Sequence, residues 1–191
     1  MFVKLLRHLH GAWNRTVSFF RLFTPRLLGL RTGRNVHAGG GIEWPLGNVG
    51  NIQIGDNVSL GKHGWIYMPL NNRQAKIQIG SGTAIGNDFV ISANNGIRIG
   101  NDCLISYRVS IIDHSHVTGW EIKPTTSGVT PGKPVKIDDG CFIGCGAVIH
   151  PGVELGSNCI VEANSVVMRS FPAGSVLSGS PARLLRLIAK T

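Results

Sequence analysis

The sequence predicts an all-β protein whose chain winds into a solenoid of stacked triangular coils. The first observation is an aliphatic residue at every sixth position, in groups of three. Fifteen positions follow this spacing, and all are Ile, Leu or Val: Ile54, Leu60, Ile66, Ile79, Ile85, Ile91, Ile99, Ile105, Ile111, Ile137, Ile143, Ile149, Leu155, Val161 and Val167. The second is that glycine often follows the first or second member of a group and never the third. Three six-residue units, each a short strand and a bend, therefore form one coil around an aliphatic interior.

A column of small side chains supports the same interior. They stand four residues after the first aliphatic of each group: Val58, Thr83, Cys103, Cys141 and Cys159. Cys141 and Cys159 lie one coil apart, close enough for a bridge, but a chain that we expect in the cytosol favours free thiols. No CxxC spacing of a zinc site occurs. Val36 and Ile42 continue the repeat backwards as one weaker coil.

Residues 1–35 predict a basic amphipathic helical segment ahead of the solenoid, because apolar residues recur at helical spacing with Lys and Arg largely opposite. No stretch approaches the ~20 apolar residues of a spanning helix, and no small-residue cleavage site follows. We expect the segment to stay on the protein. Its apolar face, within residues 2–23, suits either peripheral contact with an anionic membrane surface or packing on this chain or a neighbouring subunit.

The positive charge lies at the two ends of the chain. Residues 1–40 hold seven Lys or Arg and no acid, and residues 169–191 hold four and no acid. Residues 41–168 hold eight bases and ten acids. An enzyme of nucleic acids usually carries its basic stripe across the folded surface. The pattern therefore disfavours a nucleic-acid partner.

The repeat is interrupted at one edge only. Successive groups begin 25, 20, 38 and 18 residues apart, and each excess over eighteen falls between the third aliphatic of one group and the first of the next. Because that interval always faces the same edge of a triangular coil, all insertions project from one corner. The largest, residues 113–135, contains Asp113, His114 and His116, and Asn94 and Asn95 lie one coil below. The sequence predicts a polar site at this corner.

The repeat resembles the left-handed parallel β-helix of the hexapeptide-repeat acyltransferases. The family motif stands as Ile-Gly-Asn-Asp-Cys-Leu at 99–104 and as Leu-Gly-Ser-Asn-Cys-Ile at 155–160. The resemblance covers about residues 36–182 and implies a solenoid domain over 36–180. It also implies left-handed coiling, acetyl-CoA as acyl donor without a metal, and a homotrimer whose active sites lie between subunits.

The insertion resembles the polar cluster that ends in a catalytic histidine in the maltose- and galactoside-acetyltransferase branch. The match assigns the general base to His116, with His114 as second choice and Asp113 as a residue that orients the imidazole. A neutral imidazole, with an ordinary pKa near ~6.5, can accept a proton from a hydroxyl. The His-x-His spacing differs from the His-x4-His of the zinc-dependent γ-class carbonic anhydrases.

The resemblance also implies the substrate sites. Asn94, Asn95 and Trp120 are candidates for acceptor binding, although both asparagines also suit ordinary turns. Coenzyme A is expected along the C-terminal coils, at Phe142, Gly144, Cys145, Ala163, Arg169, Arg183 and Arg186. Within that set, the Gly144 and Cys145 amides are candidate oxyanion donors. The chain has Glu162-Ala163-Asn164 where relatives usually have Gly-Ala-Gly.

Two residues near the C-terminus predict a closing helix. Ser180 suits an N-cap and Pro181 a first helical position, so we expect a short helix over residues 181–191.

These expectations together describe a cytoplasmic acetyl-CoA-dependent O-acetyltransferase. Its acceptor would be a sugar or lipid-linked sugar, a precursor of surface polysaccharide or glycolipid, and it could work at the inner membrane face. A serine-type or other small-molecule acetyltransferase is the alternative enzyme. A solenoid scaffold without catalysis is the non-enzymatic alternative.

Overall fold

The computed structural model describes residues 16–188, and these form a triangular β-solenoid with one helix, α1, over residues 16–27. The strands are β1 (Arg31–Thr32), β2 (His37–Ala38), β3 (Ile52–Ile54), β4 (Ser59–Leu60), β5 (Trp65–Tyr67), β6 (Lys76–Ile79), β7 (Ala84–Ile85), β8 (Val90–Ser92), β9 (Gly96–Ile99), β10 (Leu104–Ile105), β11 (Ser110–Ile112), β12 (Val135–Ile137), β13 (Phe142–Ile143), β14 (Val148–Ile149), β15 (Glu154–Leu155), β16 (Ile160–Val161), β17 (Val166–Val167), β18 (Ser175–Gly179) and β19 (Ala182–Leu187).

The strands form three sheets, one on each side of the prism. The first face is β1-β3-β6-β9-β12-β15, the second is β2-β4-β7-β10-β13-β16-β18-β19, and the third is β5-β8-β11-β14-β17. Neighbouring strands are parallel except for the last pair, β18 and β19. The predicted coil of three short strands is therefore confirmed.

The register of the strands matches the aliphatic spacing. On the first face Ile54 pairs with Ile79, and Ile99 pairs with Ile137 across the largest insertion. All fifteen aliphatic positions are buried, with none more than 4% exposed. Each side chain stacks on its counterpart in the next coil, about 4.8 Å away. An apolar column of this kind stabilises the coils because every added coil buries the end of the one before.

The insertions leave the prism where the sequence places them. Residues 68–75, 93–95 and 113–134 each lie between a strand of the third face and the next strand of the first face. The corner between those two faces therefore carries all three. We call it the insertion corner.

The small-residue column is also buried, and its polar members form hydrogen bonds between coils. Thr83 Oγ1 donates a hydrogen bond to the Gly100 carbonyl at 2.8 Å, and the Cys103 and Cys141 thiols donate to the carbonyls of the next coil. The four cysteines are free thiols, as expected. Hydrogen bonding with the neighbouring thiols, together with burial, raises the pKa of Cys141, which keeps this thiol protonated and unreactive.

The first coil begins earlier than predicted. Thr32 pairs with Ile54 and Ala38 with Leu60, so these residues occupy the inner positions. Val36 instead lies in the small-residue column. The separation of Thr32 from Ile54 exceeds eighteen because a 3-10 turn at Val49–Asn51 adds residues before β3. A spacing of eighteen carried backwards from Ile54 therefore gives the wrong phase, and the solenoid starts at β1 rather than at residue 36.

The predicted N-terminal helix is present over residues 16–27, while residues 1–15 lie outside the described part of the chain. One side of α1 packs on the solenoid, where Leu22 is fully buried. Ser18 Oγ accepts a hydrogen bond from the Ala38 amide at 3.3 Å, and Arg21 donates to the Ala38 carbonyl at 3.1 Å. Large apolar side chains cover the other side and are exposed: Phe19, Phe20, Phe23 and Leu27.

The predicted C-terminal helix is wrong. Residues 182–187 form β19, which pairs antiparallel with β18, and the turn between the strands contains Gly179, at φ +102°, and the cis peptide bond Ser180–Pro181. β18 lies at the end of the second face, with unpaired backbone N–H and C=O groups along its outer edge. Pairing with β19 satisfies these groups, and that gain exceeds the weak local preference for a helix.

Candidate active site

The insertion corner is organised by one buried carboxylate, Asp113, the first residue after β11. Asp113 is fully buried. Its Oδ1 accepts a hydrogen bond from the Asn94 amide at 2.7 Å, and its Oδ2 accepts from the Asn95 and Gly96 amides at 2.7 Å each. The carboxylate therefore fixes the turn between β8 and β9 of the coil below.

His114 is the histidine that the corner holds in place. Its Nδ1 lies 2.9 Å from Asp113 Oδ1, and the residue is only 8% exposed. Because a carboxylate oxygen accepts hydrogen bonds, Nδ1 is the donor in this contact, and the neutral form of the ring then has its lone pair on Nε2. An imidazole with a fixed tautomer and a free Nε2 has the properties of a general base.

His116 is placed differently. It is exposed and lies in the insertion, where its backbone forms an antiparallel bridge with Val129. Within residues 16–188, no hydrogen bond or ion pair joins its ring to another group. The geometry thus favours His114 over His116 as the candidate general base, with Asp113 as the residue that orients it. The sequence resemblance ranks His116 first.

A cleft of about 490 Å³ opens beside this pair. Its lining consists of Tyr67, Pro69, Asn71, Asn72, Asn94, Ser127, Gly128 and Val129. The Tyr67 ring centroid lies 6.4 Å from that of His114 and 5.3 Å from that of Trp65, against which Tyr67 stacks. Carboxamide side chains together with an aromatic face are groups that bind polyhydroxyl ligands.

Tyr67 and Asn72 are site residues that the sequence analysis missed. Both follow Ile66, the third aliphatic of its group: Tyr67 ends β5, and Asn72 lies in the first insertion, residues 68–75, at the same corner. The side-chain Nδ2 of Asn72 donates to the Asn94 carbonyl and to Asn94 Oδ1. The sequence did contain a signal for them: the residues that follow the third aliphatic of every group reach this corner, and not only those of the longest insertion.

The predicted acceptor residues separate in the structure. Asn94 lines the cleft, and its Nδ2 donates to the Thr130 carbonyl at 3.1 Å. Asn95 instead braces the insertion through a hydrogen bond from its Nδ2 to the Gly132 carbonyl at 2.9 Å. Trp120 is fully exposed at the outer end of the insertion and does not line the cleft.

The predicted cofactor residues lie at another corner. Phe142 is on the second face, and Gly144, Cys145 and Ala163 follow its strands, between the second and third faces. The Gly144 amide donates to the Val161 carbonyl at 2.7 Å and is therefore engaged. The Cys145 amide has no acceptor within residues 16–188, so of the two amides only this one is available to a ligand. A Cβ on Gly144 would lie 2.6 Å from the Ala163 nitrogen, so the stacking of these coils requires glycine.

Comparisons with known proteins agree with this architecture. A family model described as the hexapeptide repeat of succinyl-transferase matches residues 134–169. WbbJ of Escherichia coli K12, named for O-acetyl transfer in lipopolysaccharide biosynthesis, is 29% identical over 147 residues, 73% of each chain. Galactoside O-acetyltransferase of the same organism is 29% identical over 136 residues, which span 68% of this chain and 64% of that protein. By these matches the chain is similar to the hexapeptide-repeat acyltransferases.

Among solved structures, the D94N mutant of AntD, an N-acyltransferase from Bacillus cereus in complex with dTDP and coenzyme A, superposes with a TM-score of 0.68. It is 23% identical, and the match covers 85% of this chain and 86% of that one. At this identity the likeness shows a shared fold.

Three arginines lie at the C-terminal end of the solenoid. The resemblance to acyltransferases implies that they bind the cofactor. Arg186, on β19, pairs with Val176, which continues through Ile160 to Phe142 along one line of the second face. Three strand spacings, about 14 Å, separate Phe142 from Arg186. Arg183 is exposed on the same strand, and the Arg169 guanidinium lies 5.1 Å from the centre of the Phe171 ring.

Within residues 16–188, no group of three or more His, Cys, Asp or Glu side chains is arranged to hold a metal ion. The described part of the chain also contains no helix with the length and hydropathy required to cross a bilayer.

The buried carboxylate leads to a prediction about local stability. Asp113→Asn replaces one acceptor oxygen with an NH₂ group that faces backbone donors, so the turn at residues 94–96 should open more often. We expect these amides to exchange with solvent about tenfold faster or more, because one or two charge-assisted hydrogen bonds are lost.

Amide hydrogen exchange, followed by mass spectrometry or NMR, measures this effect. Asp88→Asn is the matched control, since the Asp88 carboxylate bonds only the exposed His63 ring at 3.3 Å. Unchanged protection of residues 94–96 in Asp113→Asn would contradict the assigned role.

Proposed function

We propose that the protein is an acetyl-CoA-dependent O-acetyltransferase that modifies a sugar hydroxyl, with His114 as the general base. The observation that carries this proposal is the buried Asp113–His114 pair beside a cleft with carboxamide and aromatic walls. The names of the two Escherichia coli relatives support O-acetyl transfer. They also favour a saccharide acceptor, which we take to be a precursor of surface polysaccharide or glycolipid.

The proposed reaction is direct transfer. The acceptor hydroxyl gives its proton to His114 Nε2 while its oxygen bonds to the thioester carbonyl carbon. The negative charge develops on the former carbonyl oxygen, toward which the Cys145 amide is a suitable donor. Collapse of the tetrahedral intermediate breaks the carbon–sulfur bond, and the sulfur takes the proton back from His114. The products are an acetyl ester and coenzyme A with a free thiol.

The two histidines provide a matched test of the base. We expect His114→Asn to lower kcat by about 10²–10⁴-fold, because the proton acceptor is lost, with little change in KM for acetyl-CoA. His116→Asn should retain activity within about threefold, since its ring is exposed and contacts no described group. Thiol release from acetyl-CoA, measured over a panel of sugars, gives both values.

The reverse outcome, with His116→Asn inactive and His114→Asn active, would transfer the role to His116 as the sequence resemblance implies. Full activity in both variants would show that neither histidine is the base, whereas no thiol release by the wild-type protein over the whole panel would favour a scaffold.

A complete site requires a second copy of the chain. His114 lies at the insertion corner, whereas Cys145 and Ala163 lie at the corner between the second and third faces. In one protomer these corners are different edges of the prism. We propose a homotrimer in which the insertion corner of one protomer faces the cofactor corner of the next.

Mixed assemblies test this arrangement. His114→Asn removes the base, and Ala163→Trp fills the exposed cofactor corner, so each variant alone should be inactive. After the two variants are denatured, mixed equally and refolded together, about one site in four should combine an intact His114 with an intact Ala163 corner. We therefore expect about a quarter of wild-type activity to return.

The control mixture is His114→Asn with Asp113→Asn, which damage the same half of the site and should regain nothing. If the Ala163→Trp mixture also regained nothing, while sedimentation showed mixed oligomers, the site would lie within one protomer.

We also propose that α1 contacts the cytoplasmic face of the membrane. The exposed side of the helix carries Phe19, Phe20, Phe23 and Leu27. No acidic residue precedes Glu43, whereas this part of the chain holds seven Lys or Arg. An apolar surface surrounded by positive charge is complementary to anionic lipid.

Vesicle co-sedimentation tests the membrane contact. Phe20 is 69% exposed, and Phe20→Asp places a charge in the centre of the apolar surface. We expect it to weaken binding to phosphatidylglycerol-containing vesicles by about tenfold or more. Leu70→Asp, at a side chain that is 75% exposed elsewhere, is the control and should bind as wild type does. Equal binding by all three proteins would refute a contact through α1.

A further inference from the structure

A second cleft lies far from the insertion corner, between α1 and the outer side of the second face. Its volume is about 690 Å³, within the range of small-molecule sites. It is lined by Ser18, Arg21, Asn35, His37, Ala38, Gly39, Ser59, Leu60, Gly61, Lys62 and Asn87. We call it the helix cleft.

The lining of the helix cleft carries positive charge and no carboxylate. Arg21 and Lys62 are cationic, and His37, Asn35 and Asn87 add polar side chains. Asp88, which follows Asn87 in the chain, lies 3.3 Å from the His63 ring, and Asp56 pairs at 3.3 Å with Arg34, which precedes Asn35. Such a lining favours an anionic ligand.

Hydrogen bonds hold the Arg21 guanidinium and the backbone turn that carries Lys62. The Arg21 guanidinium is anchored by its hydrogen bond to the Ala38 carbonyl, which uses one of its five N–H groups. The Lys62 backbone amide donates to Asn87 Oδ1 at 2.8 Å, which ties the turn that carries Lys62 to the next coil. Guanidinium, ammonium and carboxamide donors around one opening are the groups that bind phosphate oxygens.

The helix cleft also has a defined position relative to the cofactor corner. Lys62 and Asn87 lie between the second and third faces, the same corner that carries Cys145 three coils above Lys62. Three coil spacings correspond to about 14 Å. A phosphate-bearing group held near Lys62 would therefore leave a sugar attached to it within reach of an acyl group held near Cys145.

We propose that the helix cleft binds the diphosphate that joins the acceptor sugar to its carrier. That the ligand is an acetyl acceptor rests on the proposed function. That the cleft binds a diphosphate does not. The carrier is either a nucleoside or a polyprenyl lipid, and both present the same diphosphate to Arg21 and Lys62. The exposed aromatic side chains of α1 lie on the helix that forms one wall of the cleft.

Calorimetric titration of the full-length protein tests the site, with inorganic pyrophosphate as the first probe. We expect measurable binding to wild type and a loss of about tenfold or more in Lys62→Gln, because a charge-assisted hydrogen bond is removed. Arg21→Gln is the second variant, with circular dichroism to check that α1 remains folded. Lys76→Gln removes the same charge from the exposed outer side of the first face and should bind as wild type does.

Two results would overturn the proposal: no binding of pyrophosphate by wild type, or equal weakening by Lys62→Gln and Lys76→Gln, which indicates general charge attraction. Uridine diphosphate and a polyprenyl diphosphate in detergent then distinguish the carriers by which of them binds more tightly than pyrophosphate.

The failure of this proposal is separable from failure of the proposed function. His114→Asn should bind pyrophosphate as wild type does. Diphosphate binding without acetyl transfer to any sugar would preserve the helix cleft as a diphosphate site and refute the transferase. Acetyl transfer to a diphosphate-linked sugar that is unaffected by Lys62→Gln would preserve the transferase and refute the helix cleft as the site of the acceptor's diphosphate.

Discussion

The constraint on which the rest of the structure depends is the in-register stacking of aliphatic side chains from coil to coil. Each coil must return to the same three inner positions, because a shift of one residue would turn an aliphatic side chain outward and leave its neighbours uncovered. Ile99 and Ile137 remain paired although the longest insertion separates them. Extra residues can therefore leave the prism only as loops, and in this chain they leave at one corner between the third and first faces. The position of the candidate active site is a consequence of this packing rule.

The insertions become one site because Asp113 joins them. A loop of more than twenty residues would otherwise gain little from the solenoid beneath it. By accepting hydrogen bonds from three successive amides of the coil below and from the ring of its own neighbour, Asp113 links coil, loop and imidazole in one buried network. Buried networks of this kind are stabilising only when every partner is satisfied. This condition holds here, since no buried side-chain nitrogen or oxygen of residues 16–188 lacks a partner.

The same packing rule separates the two halves of the proposed reaction. His114 and the Cys145 amide are on different edges of a rigid prism, and no movement within one protomer could bring them together without breaking the coils. The helix cleft is a third proposed binding site, and it lies at the N-terminal end of the corner that carries Cys145. In the proposed trimer, each protomer would hold the acceptor and donor positions along one corner, and another copy would supply the base.

The sequence by itself determined the coil, its fifteen inner positions, the small-residue column and the corner from which the insertions project. It could do so because these features depend on spacing alone, and a period of six with a fixed polarity has one packing solution. Tertiary structure decided the rest. His114 rather than His116 meets Asp113 because the direction of a side chain after β11 depends on the backbone of the loop, which has no repeat. Tyr67 and Asn72 join the site only because the stacking of coils brings β5 and the loop after it close to the longest insertion. Residues 182–187 form a strand instead of a helix because the open edge of β18 needs hydrogen-bond partners, a requirement that no local pattern expresses.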